Sequence, residues 1–226
     1  MGFISTHALS QCLGHDCPTL TYPPTPVTSQ LDSLAALSDS PAHAIECKFL
    51  FDRDLYTPCH ILTTDVTHRL SAVYVDNQFY SFFKVVKNPN KLLDIVARLG
   101  KRDDKVAITL TNQGYALWAY EPQAQYAPPI RQPSHRISPV FGPKSCLLVI
   151  DPQAYGFCQV QVPDVAKPLA AIAYRNRYYS IFKQDSDAAK LIDIAAKLAR
   201  RGDDTLITIA DSVYRLGLLE PNGRVI

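Results

Sequence analysis

The chain contains two related segments, residues 47–122 and 146–221, which align at a constant offset of 99 residues without a gap. Of the 76 aligned positions, 27 carry the same residue in both segments. A register held over this length indicates duplication of one unit followed by divergence. A period near 100 residues is too long for one unit of a solenoid, so the sequence predicts two small domains or two halves of one domain.

The identical positions run through the whole of both segments. The motif Tyr-Ser-x-Phe-Lys occurs at residues 80–84 and again at 179–183, whereas none of the nine glycines and none of the six histidines recurs. The shared residues therefore favour a common structural framework over a duplicated catalytic centre. Among them are the pairs Cys47 and Cys146, Cys59 and Cys158, Asn77 and Asn176, and Asp94 and Asp193.

Apolar runs and turn residues predict four strands before a helix in each unit. Residues 47–51 form a short run that is apolar except for Lys48 and leads into a turn at 52–54, so residues 59–63 are expected to return as the second strand of a hairpin. Residues 71–75 and 79–85 form a second hairpin around Asn77, a residue type that tolerates the left-handed conformation of such turns. The second unit repeats this pattern with strands at 146–150 and 158–162 and a turn at Asn176.

A helix and two more strands complete each unit. Asn88 and Pro89 are typical of an N-cap and a first helical residue, and Asp185, Ser186 or Asp187 can cap the second helix. Strands are predicted at 106–111 and 115–120, and again at 206–210 and 214–219. Both helices carry an apolar stripe at i, i+3, i+4 and i+7, formed by Leu92, Ile95, Val96 and Leu99 and by Leu191, Ile194, Ala195 and Leu198.

The predicted fold class is therefore α+β, a tandem duplication of a small, mainly antiparallel sheet unit with one helix, in the order ββββαββ per repeat. A unit of 76 residues is small for an independent core. We expect the two repeats to pack together, with pairing between their sheet edges protecting exposed strands.

Proline marks the segments that flank the repeats. Residues 1–43 and residues 123–143 hold five prolines each of the 17 in the chain. Proline fixes φ and removes a backbone donor, so both stretches are expected to be extended. The predicted organisation is a Pro-rich, weakly acidic N-terminal tail (1–43), an α+β repeat (44–122), a Pro-rich linker (123–143) and a second α+β repeat (144–226).

Composition limits the functional classes. A hydrophobic content of 47% argues against general disorder. Residues 1–43 hold three Asp and no Lys or Arg, which leaves 23 basic and 18 acidic residues for the rest. That excess is small for a typical nucleic-acid-binding domain. The first basic residue is Lys48, so a basic secretory n-region is not expected and the sequence favours a cytoplasmic protein without a membrane span.

Catalytic motifs are not found in the sequence. It lacks the nucleophile-elbow, zinc-protease, P-loop and dinucleotide-binding patterns. The paired cysteines do not have the close spacing of a zinc site. The sequence therefore predicts a protein that is not an enzyme and has no cofactor, no metal ion and no catalytic residues.

Three groups of residues are candidate sites. A basic cluster ends each helix and could dock an acidic protein partner, although cations there also complement the helix dipole. An aromatic and basic strand could stack bases and hold phosphates of single-stranded RNA or DNA. Four cysteines could form redox pairs, since Cys47 and Cys59 would lie nearly opposite each other in the predicted hairpin, although free cysteines are more often buried core residues. The three groups are Arg98, Lys101, Arg102, Lys197, Arg200 and Arg201; Arg175, Arg177, Tyr178, Tyr179 and Lys183; and Cys47, Cys59, Cys146 and Cys158.

The leading hypothesis is a non-catalytic binding or adaptor protein. Two related α+β modules would present a protein-interaction surface, with the Pro-rich tail as a regulator or tether. Two similar surfaces allow bivalent binding, which gains affinity through effective concentration. A single-stranded nucleic-acid-binding protein and a thiol-regulated protein are the alternatives.

Overall fold

The computed structural model describes residues 44–99, 105–163, 165–210 and 213–226. In these ranges the chain is a strand-rich mixed α/β protein with one large sheet of fourteen strands and two α-helices. The predicted N-terminal tail, residues 1–43, lies outside the described residues.

The first half begins with β1, and a short 3-10 turn, Arg53–Leu55, connects this strand to β2. The elements are β1 (Ala44–Leu50), β2 (Thr57–Thr63), β3 (Val66–Val75), β4 (Gln78–Val86), α1 (Pro89–Leu99), β5 (Val106–Thr111), β6 (Gly114–Tyr120) and β7 (Gln125–Tyr126).

The second half follows the same order, again with a 3-10 turn, Pro152–Ala154, after its first strand. The elements are β8 (Cys146–Val149), β9 (Gly156–Gln161), β10 (Leu169–Tyr174), β11 (Arg177–Asp185), α2 (Ala188–Arg200), β12 (Thr205–Ala210), β13 (Val213–Leu219) and β14 (Arg224–Val225). The sequence did not predict the 3-10 turns or the two-residue strands β7 and β14.

The sheet is continuous from one half to the other. Its strand order is β14-β9-β10-β11-β13-β12-β8-β1-β5-β6-β4-β3-β2-β7. Two of the pairings are parallel, β1 with β5 and β8 with β12, and the other pairings are antiparallel. The parallel pairs are possible because a long connection containing a helix separates each first strand from its partner.

The two halves meet where β1 pairs with β8. Residues 44–47 run antiparallel to residues 149–146, and Cys47 faces Cys146. These two residues are also 99 positions apart, and their parallel partners, Val106 and Thr205, are equivalent in the same way. An approximate twofold axis therefore passes through the sheet between Cys47 and Cys146, perpendicular to its plane. Equivalent positions of the two halves consequently lie on the same side of the sheet.

Both helices pack on one face of the sheet over this junction. The core there contains Cys47, Phe49, Cys146 and Leu148 from the central strands together with apolar residues of both helices. The Asn88 side chain accepts from the backbone N–H groups of residues 90 and 91, and Asp187 caps α2 in the same way. These caps and the apolar stripes of the helices were predicted from the sequence and are confirmed.

A separate core lies on the opposite face of each half. The chain crosses this face between the first and second strands, so Tyr56 packs with Leu50 and Ala107 in the first half. Tyr155 packs with Val149 and Leu206 in the second half. Side chains alternate between the faces of a strand, and β5 accordingly sends Ile108 to the helices and Ala107 to this second core.

The Pro-rich linker follows the surface of the first half. It is not extended throughout, as predicted, because it turns where the Gln132 N–H donates to the Pro129 carbonyl and the His135 N–H donates to the Gln132 carbonyl. The Ala127 N–H donates to the His60 carbonyl at 2.9 Å, and the Asp76 N–H donates to the Val140 carbonyl at 2.9 Å. Asp76 lies in a left-handed turn with φ of 50°. Its carboxylate accepts from the Gly142 N–H at 2.8 Å and lies 2.6 Å from the Lys48 ammonium group. The linker is therefore held by side chains as well as by backbone.

The predicted hairpin of the first two strands is wrong in both halves. β1 pairs with β5 and β8, whereas β2 pairs with β3 and β7. Cys47 and Cys59 are separated by five strand positions, about 24 Å at the usual strand spacing. The turn residues are local, but the true partner of β1 is more than fifty residues away in sequence, and a local pattern does not reveal it.

Replacing Ile207 with alanine tests whether the halves unfold as one body. The side chain is 1% exposed in the core that both helices share, so the change should lower the free energy of unfolding by about 2–5 kcal/mol. The single tryptophan, Trp118, lies in the other half. Its fluorescence and the far-UV circular dichroism should show the same shifted midpoint in guanidinium.

The matched control is Ser186→Ala, an exposed position of the same half, which should change the stability by less than about 0.5 kcal/mol. If the Trp118 transition keeps its wild-type midpoint in the Ile207→Ala protein, the halves unfold independently and the shared core does not couple them.

Candidate interaction surface

The basic cluster at the helix ends is largely paired within the molecule. Lys197 lies 2.7 Å from Asp193, and Arg201 lies 3.6 Å from Asp203. Arg200 contacts Asp52 and Asp54 at the 3-10 turn of the first half. Arg98 is exposed, whereas Lys101 and Arg102 lie outside the described residues. Nearby carboxylates therefore offset much of the positive charge at the end of α2. This lowers the electrostatic attraction of the cluster for an acidic partner.

The predicted aromatic and basic strand corresponds to β11, and its two tyrosines have different environments. Tyr179 is 1% exposed and packs in the second core of its half, and Tyr178 is half-buried. Burial raises the pKa of the Tyr179 hydroxyl, and a hydrogen bond from Arg177 partly offsets this. The prediction that Tyr179 stacks on bases is wrong, because its ring is covered by protein. Arg175, Arg177 and Lys183 are exposed.

The cysteines are also not placed as the predicted redox pairs require. Among the described residues, Cys47, Cys59, Cys146 and Cys158 are free thiols. Cys47 and Cys146 face each other in the core, and burial raises the pKa of both, that of Cys146 to about 12. Cys59 and Cys158 are half-buried on distant strands. The structure does not bring the predicted partners within each repeat together.

A β-bulge occurs at the same position in both halves. The pairing of β4 with β6 shifts between Phe82 and Lys84, and that of β11 with β13 shifts between Ile181 and Lys183. The extra residues are Phe83 and Phe182, here called the bulge phenylalanines. They are 47% and 43% exposed. A bulge directs a side chain away from the regular alternation of the strand, so these rings are exposed because of the backbone geometry.

Each bulge phenylalanine is followed by an exposed lysine. Lys84 and Lys183 are exposed, and the Lys84 ammonium group lies 5.9 Å from the centroid of the Phe83 ring. An aromatic ring beside a cation suits an apolar recess that is bordered by carboxylates. The sequence contained this signal as the repeated Phe-Lys pair, but the alternation of a regular strand gave no reason to separate it from the core aromatics.

The surroundings of the two bulges differ. In the first half the Phe82 ring packs edge-on against Trp118 at 5.4 Å, and the indole N–H donates to the Thr109 hydroxyl at 2.9 Å. Gly217 stands in the place of Trp118 in the second half, and the buried hydroxyl of the equivalent Thr208 has no hydrogen-bond partner among the described residues. The two halves therefore expose a phenylalanine ring at the same position, but the residues that surround the bulge differ between them.

A depression of about 420 Å³ on the described surface is lined by Lys48, Asp76, Lys144 and Arg200 among others, where the linker ends. Lys48 and Arg200 are paired with carboxylates. In the described ranges no group of three His, Cys, Asp or Glu side chains is arranged to hold a metal ion. No described helix is both long and apolar enough to cross a membrane.

Comparisons with known proteins do not identify a family. No protein-family model, no curated protein and no solved structure matches this chain.

Alkylation rates test the thiol environments. Burial raises the pKa of Cys59 from 9.0 to about 11. At pH 8 this leaves about a hundredfold less thiolate, so iodoacetamide should react with native Cys59 about a hundredfold more slowly than with an unperturbed thiol. The rate should rise with pH up to about 11, as measured by mass spectrometry of timed samples.

The alkylation rates of Cys47 and Cys146, measured in the same samples, provide the comparison. Both are buried, so they should stay unmodified until guanidinium unfolds the protein. Modification of Cys47 in the native protein at its rate in guanidinium would contradict the buried position of this pair.

Proposed function

We propose that this protein is a non-catalytic binding or adaptor protein whose halves each present one bulge phenylalanine to a protein partner. The observation that carries the proposal is the exposure of Phe83 and Phe182 at equivalent bulges, each followed by an exposed lysine. Most of the aligned positions differ between the two segments, yet this exposed pair is retained. Packing within the described structure gives no reason for an exposed Phe at both places.

The energetics favour a contact with a partner. Full burial of a Phe side chain is worth about 1.5–3 kcal/mol, so covering the exposed half of each ring contributes roughly 1 kcal/mol. Aromatic anchors surrounded by polar groups commonly dominate the affinity of protein interfaces. The chemistry of the partner follows from the neighbours, and we propose an apolar recess with acidic residues at its border.

The arrangement of the halves supports bivalent binding. β4 and β11 are seven positions apart in the sheet, a separation of at most about 34 Å at the usual strand spacing. Symmetry about Cys47 and Cys146 puts both rings on the same side of the sheet. A partner with two recesses, or two linked copies of one partner, gains affinity through effective concentration. We further propose that the halves arose by tandem duplication, which the constant offset of 99 residues supports.

The alternative functions have less support. For the binding of single-stranded RNA or DNA, the candidate cations Arg175, Arg177 and Lys183 are exposed. The Tyr179 ring is buried in the core, however, and does not support this function. Thiol regulation has less support because the two cysteines of each repeat lie on strands that are far apart in the sheet. A cytoplasmic location stays part of the proposal and is supported by the free thiols of the described residues, because disulfides are rare in that compartment.

Replacing the bulge phenylalanines with serine tests the proposal. Phe83→Ser and Phe182→Ser should each weaken binding of the captured partner by about fivefold, which corresponds to roughly 1 kcal/mol. The double variant should lose the partner in a pull-down with immobilised full-length protein, quantified by mass spectrometry. Because both rings are exposed, the midpoint of thermal unfolding should remain near that of the wild type.

The matched control is Leu110→Ser, which removes a side chain that is 48% exposed on β5 away from both bulges. This variant should capture the partner as the wild type does. Equal capture by the double bulge variant would overturn the proposal. Salt-sensitive binding of a single-stranded oligonucleotide by the double variant, measured by fluorescence anisotropy, would instead favour the nucleic-acid alternative.

A further inference from the structure

Cys47 and Cys146 lie directly opposite each other in the antiparallel pairing of β1 with β8. In such a pairing the Cα atoms of opposite residues are about 4.5 or about 5.5 Å apart, depending on whether the two residues exchange backbone hydrogen bonds. Both separations fall within the range of roughly 4.4–6.8 Å between the Cα atoms of a disulfide. The register of the central strands therefore meets the backbone requirement for a disulfide between the two halves.

The two side chains also point into the same core. Both thiols lie between the sheet and the helices, where Cys47 is 1% and Cys146 is 0% exposed. The Cys47 thiol donates to the Ile45 carbonyl and the Cys146 thiol donates to the Leu147 carbonyl, each at 3.8 Å. A thiol is a weak donor, so these two contacts offer little resistance to a bond between the sulfur atoms.

Among the four described cysteines, this is the one pair on neighbouring strands. Cys59 and Cys158 are also equivalent to each other, but β2 and β9 lie eleven positions apart in the sheet. Equivalent residues meet only near the approximate twofold axis, which passes between Cys47 and Cys146. The two equivalent pairs have the same offset of 99 residues in the sequence, so the fold alone distinguishes them.

We propose that Cys47 and Cys146 are the site of a disulfide that joins the two halves, formed by exchange with a small-molecule disulfide such as oxidised glutathione. The thiolate of one cysteine attacks a sulfur atom of oxidised glutathione, which leaves a mixed disulfide and releases one glutathione thiolate. The thiolate of the other cysteine then attacks the protein sulfur atom of the mixed disulfide and releases the second glutathione. The two cysteines are oxidised, the glutathione disulfide is reduced, and the two cysteine protons end on the released glutathione molecules.

Burial of the pair determines when this disulfide forms. Glutathione cannot reach either sulfur atom while β1 is paired with β8, and burial raises the pKa of both thiols. The first exchange therefore takes place while the two halves are separated, during folding or after opening. Pairing of β1 with β8 then brings the second thiol opposite the mixed disulfide. The closed core shields the finished bond from reductant, so the disulfide stores a record of oxidation that occurred before closure.

Refolding of the full-length protein from guanidinium in a mixture of oxidised and reduced glutathione tests the proposal. Mass spectrometry of a digest made without reductant should show a disulfide-linked peptide pair that contains Cys47 and Cys146. The bond closes a loop of 99 residues, so the guanidinium midpoint should rise by about 0.5–1 M and return to its original value after reduction of the unfolded chain. Native protein in the same mixture without guanidinium should keep both thiols reduced, and its oxidation at an equal rate would contradict the required opening.

Two matched variants separate this pair from the other cysteines. The first keeps only Cys47 and Cys146 and should form the same disulfide with the same rise in midpoint. The second keeps only Cys59 and Cys158 and should be recovered as thiols or glutathione adducts. The substitutions are Cys12→Ser, Cys17→Ser, Cys59→Ala and Cys158→Ala in the first, and Cys12→Ser, Cys17→Ser, Cys47→Ala and Cys146→Ala in the second.

Two results would overturn the proposal. In the first, the refolded wild-type protein carries Cys47 and Cys146 as thiols or glutathione adducts. In the second, the linked protein unfolds at or below the midpoint of the reduced protein, which would show that the bond does not fit the paired strands. The digest of the wild type decides the first point even if a variant does not refold. None of these measurements involves the bulge phenylalanines, so either proposal can fail alone.

Discussion

The antiparallel pairing of β1 with β8 is the constraint on which the rest of the structure depends. It joins two small sheets into one and places Cys47 and Cys146 at the centre of the molecule. The helices of both halves then share one core above this junction. Because a unit of this size buries little apolar surface by itself, the joint core supplies burial that neither half has alone.

Local features of the fold could be predicted from the sequence, whereas the pairing of distant strands could not. The caps at Asn88 and Asp187 and the left-handed turns at Asn77 and Asn176 depend on neighbouring residues, and the structure has them. The apolar run at residues 47–51 predicts a strand but carries no information about its partner. The strand pairs with β5 and β8 instead of folding back on β2, since a buried central strand needs an apolar neighbour on each side.

The candidate sites were predictable only as residue types. Alternation predicts that Tyr178 and Tyr179 point to opposite faces. Burial of Tyr179, however, depends on Tyr155, which follows a 3-10 turn, and on Leu206 of β12. The charges at the end of α2 were predicted, but the carboxylate partners of Arg200, Asp52 and Asp54, belong to the other half. The exposure of Phe83 and Phe182 follows from one extra residue in each strand, a change of register that composition does not reveal.

The two-residue strands β7 and β14 at the edges of the sheet have a consequence for assembly. Each covers only a short part of the strand beside it, and the neighbouring chain segments occupy further backbone groups, as when Ala127 donates to His60. An incoming chain therefore meets a short, interrupted template at either end. Such an edge disfavours growth of the sheet from one copy into the next, which is the first step of fibre formation.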